Sequence, residues 1–175
     1  MSNSLASSSV LPVTHGLLRV LVFLNWFMGA AILVLLAVSP HRQWILSAFE
    51  LAPSPDVDRL VTGLRAIAAL GLVCVPVNRA ILNRLLAMVE TVRQGTPFIT
   101  GNAQRLQGIA WALLGLQVVS VAIGGIAKSV STPGHPLHLD AGFSLTGWLA
   151  VLLTFLLARV FAEGARMRDE LEGTV

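Results

Sequence analysis

Two imidazoles and a carboxylate fall within six residues of segment 133–140: His135, His138 and Asp140. These are ligand types that divalent metals take from proteins. Pro133 and Pro136 keep the segment out of a helix, so a further protein ligand would have to come from His41 or Asp58. The spacing by itself favours an ordinary polar turn.

Elsewhere the polar residues with chemical potential are isolated. Arg65, Asn25, Gln117 and Ser120 each interrupt a long apolar stretch, and Cys74 is the single cysteine. One thiol gives neither a disulfide nor a pair of sulfur ligands. The four histidines, His15, His41, His135 and His138, fall in loops or at the ends of apolar runs, which does not suit membrane haem. No Ser/His/Asp set, Gly-rich phosphate loop or pair of intramembrane carboxylates is present, so the expectation is a non-enzyme with no cofactor.

The elements that carry these residues follow from composition. Of 175 residues 55% are hydrophobic and 12% charged, against about 25% charged in a typical soluble domain. The apolar content is gathered into four runs, near 17–38, 61–77, 106–127 and 142–162. A run of about 21 residues reaches roughly 31 Å as a helix, enough for the roughly 30 Å hydrocarbon core. The first run is too long for a cleaved signal peptide, and the Ser-rich leader before it lacks a positive side chain.

The fold class expected is therefore all-α, an integral membrane four-helix bundle. Its helices are predicted near 17–38, 58–93, 104–128 and 142–170, after a disordered Ser-rich leader at 1–16; residues 17–175 form one domain. Ser54, Pro55 and Asp56 read as the start of the second helix, and Pro76 is expected to kink it without ending it. Beyond Pro76, apolar residues recur at helical spacing with Arg79, Arg84, Glu90 and Arg93 between them, giving an amphipathic extension. Residues 41–52 suit a short helix lying on the outer surface.

Basic residues set the orientation. With the N-terminus cytoplasmic, the inner side holds Arg19, Arg79, Arg84, Arg93, Arg105, Arg159, Arg166 and Arg168, and the outer side Arg42, Arg59 and Lys128. Both termini are thus predicted inside, with the extension of helix two and a helical C-terminal tail also cytoplasmic. The net charge of +3 comes from basic residues spread along the chain, so direct nucleic-acid binding is not expected. Arg65 lies one to two turns beneath the outer surface; it is either functional or snorkels to headgroups or to Asp56 and Asp58. Asn25, Gln117 and Ser120 are placed to hydrogen-bond between helices, and Ser120 with Gly124 forms a small-x-x-x-small step.

Segment 90–111 reads as a shaped turn. Gly95 can end the second helix in a left-handed cap, Pro97 stops its continuation, and Thr100 or Asn102 can cap the third. The tail passes from basic Arg159, Arg166 and Arg168 to acidic Asp169, Glu170 and Glu172. At these two segments the chain resembles the bacterial domain-of-unknown-function family 2975, small four-helix membrane proteins. The matching residues are Gly95, Pro97, Phe98, Asn102, Ala103, Arg105 and Leu106 in the connector. In the tail they are Phe161, Gly164, Arg168, Asp169, Leu171, Glu172, Gly173, Thr174 and Val175. The resemblance implies no assigned activity, but implies a partner: members are often encoded beside a small helix-turn-helix regulator.

The expectation is a bacterial inner-membrane protein that senses for or anchors such a regulator. Its partner face would involve Gly95, Pro97, Phe98, Asn102, Arg105, Arg166, Arg168, Asp169 and Glu172, with the lipid bilayer as its other partner. Two rivals stand beside it. One is a solute transporter or channel component, built as a homo-oligomer, with Asn25, Arg65 and Gln117 along its path. The other is a structural subunit packed against a larger complex.

Overall fold

The computed structural model of the chain describes residues 3–38, 55–131 and 140–172. Four helices follow one another: α1 (Asn3–Val38), α2 (Pro55–Arg93), α3 (Thr100–Val130) and α4 (Leu145–Glu172). All four are long and apolar enough to cross a membrane. Large apolar side chains stand on their free surfaces, among them Phe23 at 72% exposure and Leu156 at 61%. Water would make that arrangement costly at about 25 cal/mol per Å² of apolar surface, whereas lipid tails are as apolar as the side chains themselves.

The bounds depart from the sequence expectation in informative ways. α1 takes in the Ser-rich leader and reaches back to Asn3. Once the apolar stretch has formed a helix, adding each preceding residue needs no new nucleus. α2 begins at Pro55, where a missing N–H costs nothing, and runs unbroken through Pro76 for 39 residues. At 1.5 Å per residue that is roughly 58 Å, nearly twice the hydrocarbon thickness, so part of α2 must lie beyond it. α4 begins three residues late because Gly142 holds φ at 130°, outside the helical region, and Ser144 occupies the position where a cap is favoured. The expected surface helix at 41–52, the cap at Ser54, and His41, His135 and His138 lie outside the described residues, as do Gly173, Thr174 and Val175.

The chain divides into two compact units. The first combines residues 1–25, 77–115 and 145–175; the second combines 26–76 and 116–144. One division falls between Pro76 and Val77, at the proline that removes the helical hydrogen bond to the Leu72 carbonyl.

Within the second unit small residues set the helix approach. A Cβ on Gly29 would stand 3.0 Å from Val75 Cγ1, and one on Gly63 would stand 2.6 Å from Val130 Cγ1. The Ser120/Gly124 step is used differently from the helix-to-helix contact expected. Ser120 Oγ donates to the Gly142 carbonyl and accepts from the Gly142 N–H, both at 3.3 Å. A Cβ on Gly124 would strike the Gly142 Cα at 2.6 Å and the Ala141 carbonyl oxygen at 2.7 Å. The small face of α3 thus receives the turn that leads into α4, and Ser120 satisfies backbone groups there that no helix partner reaches.

In the first unit α4 buries Val151, Ala158 and Ala165, seven residues apart, along one stripe. α3 answers with Ala103, Leu106, Ile109 and Ala110, the last with no exposed surface. Alternating small and branched side chains at this spacing let helices approach closely, which is how association is stabilised without a hydrophobic drive.

Candidate functional site

The most constructed part of the molecule is the connector joining α2 to α3, residues 94–99, in the first unit. α2 ends as the sequence predicts. Gly95 adopts φ 75°, its N–H donates to the Val92 carbonyl, and the Thr96 N–H donates to the Thr91 carbonyl, each at 3.0 Å. These two bonds form the paired closure of a Schellman cap, satisfying carbonyls that a helix end leaves open.

Asn102 then ties the connector together. It is the one large side chain among the described residues with almost no exposure, at 0%. Its Nδ2 donates to Thr91 Oγ1 at 2.6 Å and to the Pro97 carbonyl at 2.8 Å. Its Oδ1 accepts from Arg105 Nη1 at 2.7 Å. The orientation of the amide is fixed chemically. A carbonyl can only accept and a guanidinium can only donate, so nitrogen must face Pro97 and oxygen must face Arg105. Thr91 completes the set by donating from Oγ1 to the Met88 carbonyl at 2.7 Å.

The sequence placed Asn102 or Thr100 as a cap for α3. The side chain of Asn102 instead reaches backward across the turn, while its N–H donates to the Ile99 carbonyl at 2.9 Å. Asn102 is also closed to any partner, so among the residues expected at a partner face it acts from within. Arg105 is partly buried and committed to Asn102.

The connector is fastened to α4 by an aromatic contact. Phe98 lies with its ring centroid 5.2 Å from that of Phe161. Gly164 is small enough to admit the same ring, since a Cβ there would stand 3.0 Å from Phe98 Cδ1. Phe98 nevertheless remains 44% exposed. Residues on which the family resemblance rests, Phe98, Phe161 and Gly164, are therefore in mutual contact.

Around this contact the surface is mixed. Gly95 is exposed and Pro97 half-buried. On α4, Arg166 Nε donates to Glu170 Oε1 at 3.0 Å, with both side chains largely exposed. Asp169 is exposed, as are Met167 and Leu171. Arg168 is partly buried and engaged in an interaction. α4 extends to Glu172.

Two pairings in this unit carry no signal in residue periodicity. Arg84, on the polar side of the amphipathic extension, donates from Nη1 to the Gly108 carbonyl at 3.2 Å. Gly108 leaves room for it: a Cβ there would meet the guanidinium carbon at 2.9 Å. Trp111 packs edge-on against Phe155, with centroids 5.4 Å apart and an interplanar angle of 87°. A glycine inside an otherwise apolar helix was the available clue to the first pairing.

The intramembrane polar residues are divided between the two units. Asn25 belongs to the first unit, and Arg65 and Gln117 to the second. Asn25 and Arg65 each engage an interaction within the fold. Gln117 Oε1 is buried with no hydrogen-bond partner among the described residues. Asp140, the described member of the proposed metal set, is exposed.

Residues 41–175 match the family described as Protein of unknown function (DUF2975), so the chain belongs to that family. No curated protein and no solved structure matches it.

Proposed function

We propose that this DUF2975 member is a non-enzymatic protein of the bacterial inner membrane whose connector and α4 tail form one cytoplasmic docking face for a soluble regulator. The observation that carries the reading is the Phe98 contact with Phe161 and Gly164, held in place from behind by the buried Asn102. A loop that merely joined two membrane helices could be hydrated and irregular. This one is pinned by the Schellman and Asn102 bonds, bears a half-exposed aromatic ring, and adjoins a helix presenting Arg166, Asp169, Met167 and Leu171. Aromatic anchors beside charged residues are the composition of protein interfaces.

The orientation rests on the excess of arginines at this end of the helices, which favours the cytoplasm. The resemblance to family members encoded beside a helix-turn-helix regulator supplies the partner's class. Co-purification in mild detergent with the neighbour-encoded regulator tests both. The regulator should be retained by the full chain and lost on Phe98→Glu or on deletion of residues 166–175. Failure to co-purify, together with unchanged regulator output after the deletion, would sink the reading.

The unpartnered Gln117 oxygen favours one second reading, a solute path through the membrane. Flux in proteoliposomes that disappears in Gln117→Leu would support that alternative.

A further inference from the structure

Beside the connector, α3 and α4 enclose a groove of about 340 Å³. It is lined along α3 by Thr100, Gln104 and Gln107, and along α4 by Phe155, Arg159 and Ala162. On each helix these positions follow the i, i+3, i+4, i+7 rule, so two stripes face each other. The hollow between them exists because the intervening residues are Ala103 and Ala158, whose methyls are themselves buried.

The groove is polar at one end and aromatic at the other. The side chains of Arg159, Gln104 and Gln107 make no hydrogen bond or ion pair among the described residues. Glu163 stands one turn beyond Arg159 on α4, yet no ion pair joins them. Arg105, the nearest other cation on α3, is committed to Asn102. At the opposite end Phe155 lines the groove, and Trp111, 60% exposed, packs edge-on against it just beyond the lining.

Depth matches this division. α3 runs without a charge from Leu106 to Ala127, and α4 runs without a charge from Leu145 to Ala158. Arg159 and Gln107 therefore mark where each helix passes from hydrocarbon to headgroup, while Phe155 and Trp111 lie about 6 Å deeper, one helical turn. Tryptophan favours this depth.

We propose that the groove holds one anionic glycerophospholipid. Its phosphate meets the Arg159 guanidinium and the Gln104 and Gln107 amides, and its first acyl carbons lie along Phe155 and Trp111. A guanidinium offers paired donors matched to phosphate oxygens, and amide nitrogens add neutral donors without competing charge. Lipid headgroups lie at this depth, and a basic pocket between membrane helices is a suitable receptor for anionic ones. The site is separate from the docking face and stands whether or not a regulator binds there.

The test uses the full chain in mild-detergent micelles and phosphatidylglycerol or phosphatidylcholine with brominated acyl chains, which quench nearby indoles. The signal from Trp111 is isolated by subtracting that of Trp111→Phe. Phosphatidylglycerol should reach half-maximal quenching at an amount on the order of ten-fold lower than phosphatidylcholine, whose choline cation offsets the phosphate charge that Arg159 would meet. Arg159→Gln should erase that preference, Arg159→Lys should keep part of it, and Arg166→Gln should leave it intact. The double variant Gln104→Leu/Gln107→Leu should weaken it a few-fold with the charge retained. Equal quenching by the two lipids in the unsubstituted chain overturns the proposal without reliance on any variant. So does a preference that survives Arg159→Gln, or one that Arg166→Gln removes equally, since that would be general surface attraction. Displacement of the lipid preference by millimolar inorganic phosphate would assign the groove to a soluble anion and overturn the lipid as occupant.

Discussion

Replacing Asn102 by Ala removes two donors and one acceptor from a position with no access to water. Each neutral hydrogen bond contributes about 1 kcal/mol net, and a buried carbonyl left without a donor costs about 1 kcal/mol more. The Pro97 carbonyl is left in that state. Thr91 Oγ1 keeps its bond to Met88, and Arg105, partly exposed, can turn toward headgroups or water, so its lost bond is discounted. The total is about 3 kcal/mol, a large share of an ordinary domain stability of about 5–15 kcal/mol. At about 2–4 °C per kcal/mol for a chain of this size, the apparent melting midpoint in detergent should fall by about 6–12 °C. Asn102→Asp separates the contributions. It keeps the acceptor for Arg105 and gives it a charge, but places an oxygen against the Pro97 carbonyl and forces Thr91 to choose between partners. Asn102→Asp should therefore be at least as unstable as Asn102→Ala. Hydrogen exchange of the Gly95 and Thr96 amides should accelerate in both variants before global unfolding, because the Schellman bonds then lose their support. The reasoning is refuted if Asn102→Ala shifts the midpoint by less than 2 °C, or if Asn102→Asp is native-like while Asn102→Ala is not.

Other substitutions read the remaining close contacts. Gly124→Ala should cost about 3 kcal/mol, more than the roughly 1–2 kcal/mol of Gly63→Ala, because its new Cβ meets the backbone of Ala141 and Gly142 rather than the Val130 side chain; thermal midpoints compared side by side decide the order. Gly164→Leu should expel Phe98 from its contact with Phe161, exposing the ring and accelerating protease cleavage in the connector, whereas Gly164→Ala, which needs only a few tenths of an ångström from a half-exposed ring, should be mild. Gly95→Ala should cost about 1 kcal/mol from the left-handed backbone alone, measurable as faster amide exchange at Thr96. With Cys74 replaced by Ala, single cysteines placed at Gln94 and Glu172 should resist an impermeant maleimide applied to intact cells and react after lysis; labelling in intact cells at either place would reverse the proposed orientation.

How much of this could be read in advance depended on whether the controlling physics is local. Four spans follow from run length against bilayer thickness, and the bounds of α2 at Pro55 and of its cap at Gly95 follow from backbone chemistry carried by single residues. The contacts that shape the connector are not local. Nothing in the periodicity of α3 separates an Asn that caps its own helix from one that reaches back five and eleven residues to Pro97 and Thr91. Periodicity puts Arg84 among the polar positions of an amphipathic helix, and only the missing Cβ at Gly108 reveals where its side chain goes. The spacing of Ser120 and Gly124 predicts the close approach of a helix, and a turn fills the place instead, which spacing alone does not distinguish. The α3/α4 groove leaves no local pattern for a related reason: its polar lining is spread over two helices more than fifty positions apart, and its volume comes from two alanines that look like ordinary core.

Membrane insertion and connector shape should be separable. The former depends on apolar runs that are long enough regardless of how they are joined. The latter depends on Thr91, Asn102 and Arg105, none of which insertion requires. A flexible connector of equal length, with Gly and Ser in place of residues 94–99, removes the Phe98 ring and the proline that holds the residue 97 carbonyl toward Asn102, while leaving every apolar run in place. If the connector serves only to join helices, this variant should retain four spans, normal abundance and full regulator output. If the connector is a docking surface, spans and topology should persist, with abundance reduced by no more than the loss of Asn102 bonding accounts for, but regulator co-purification should disappear. The comparison with Asn102→Ala completes the argument, since that variant carries the stability loss yet keeps Phe98. Equal loss of the regulator in both would place the effect in folding, and loss confined to the flexible connector would place it in the ring that Gly164 admits.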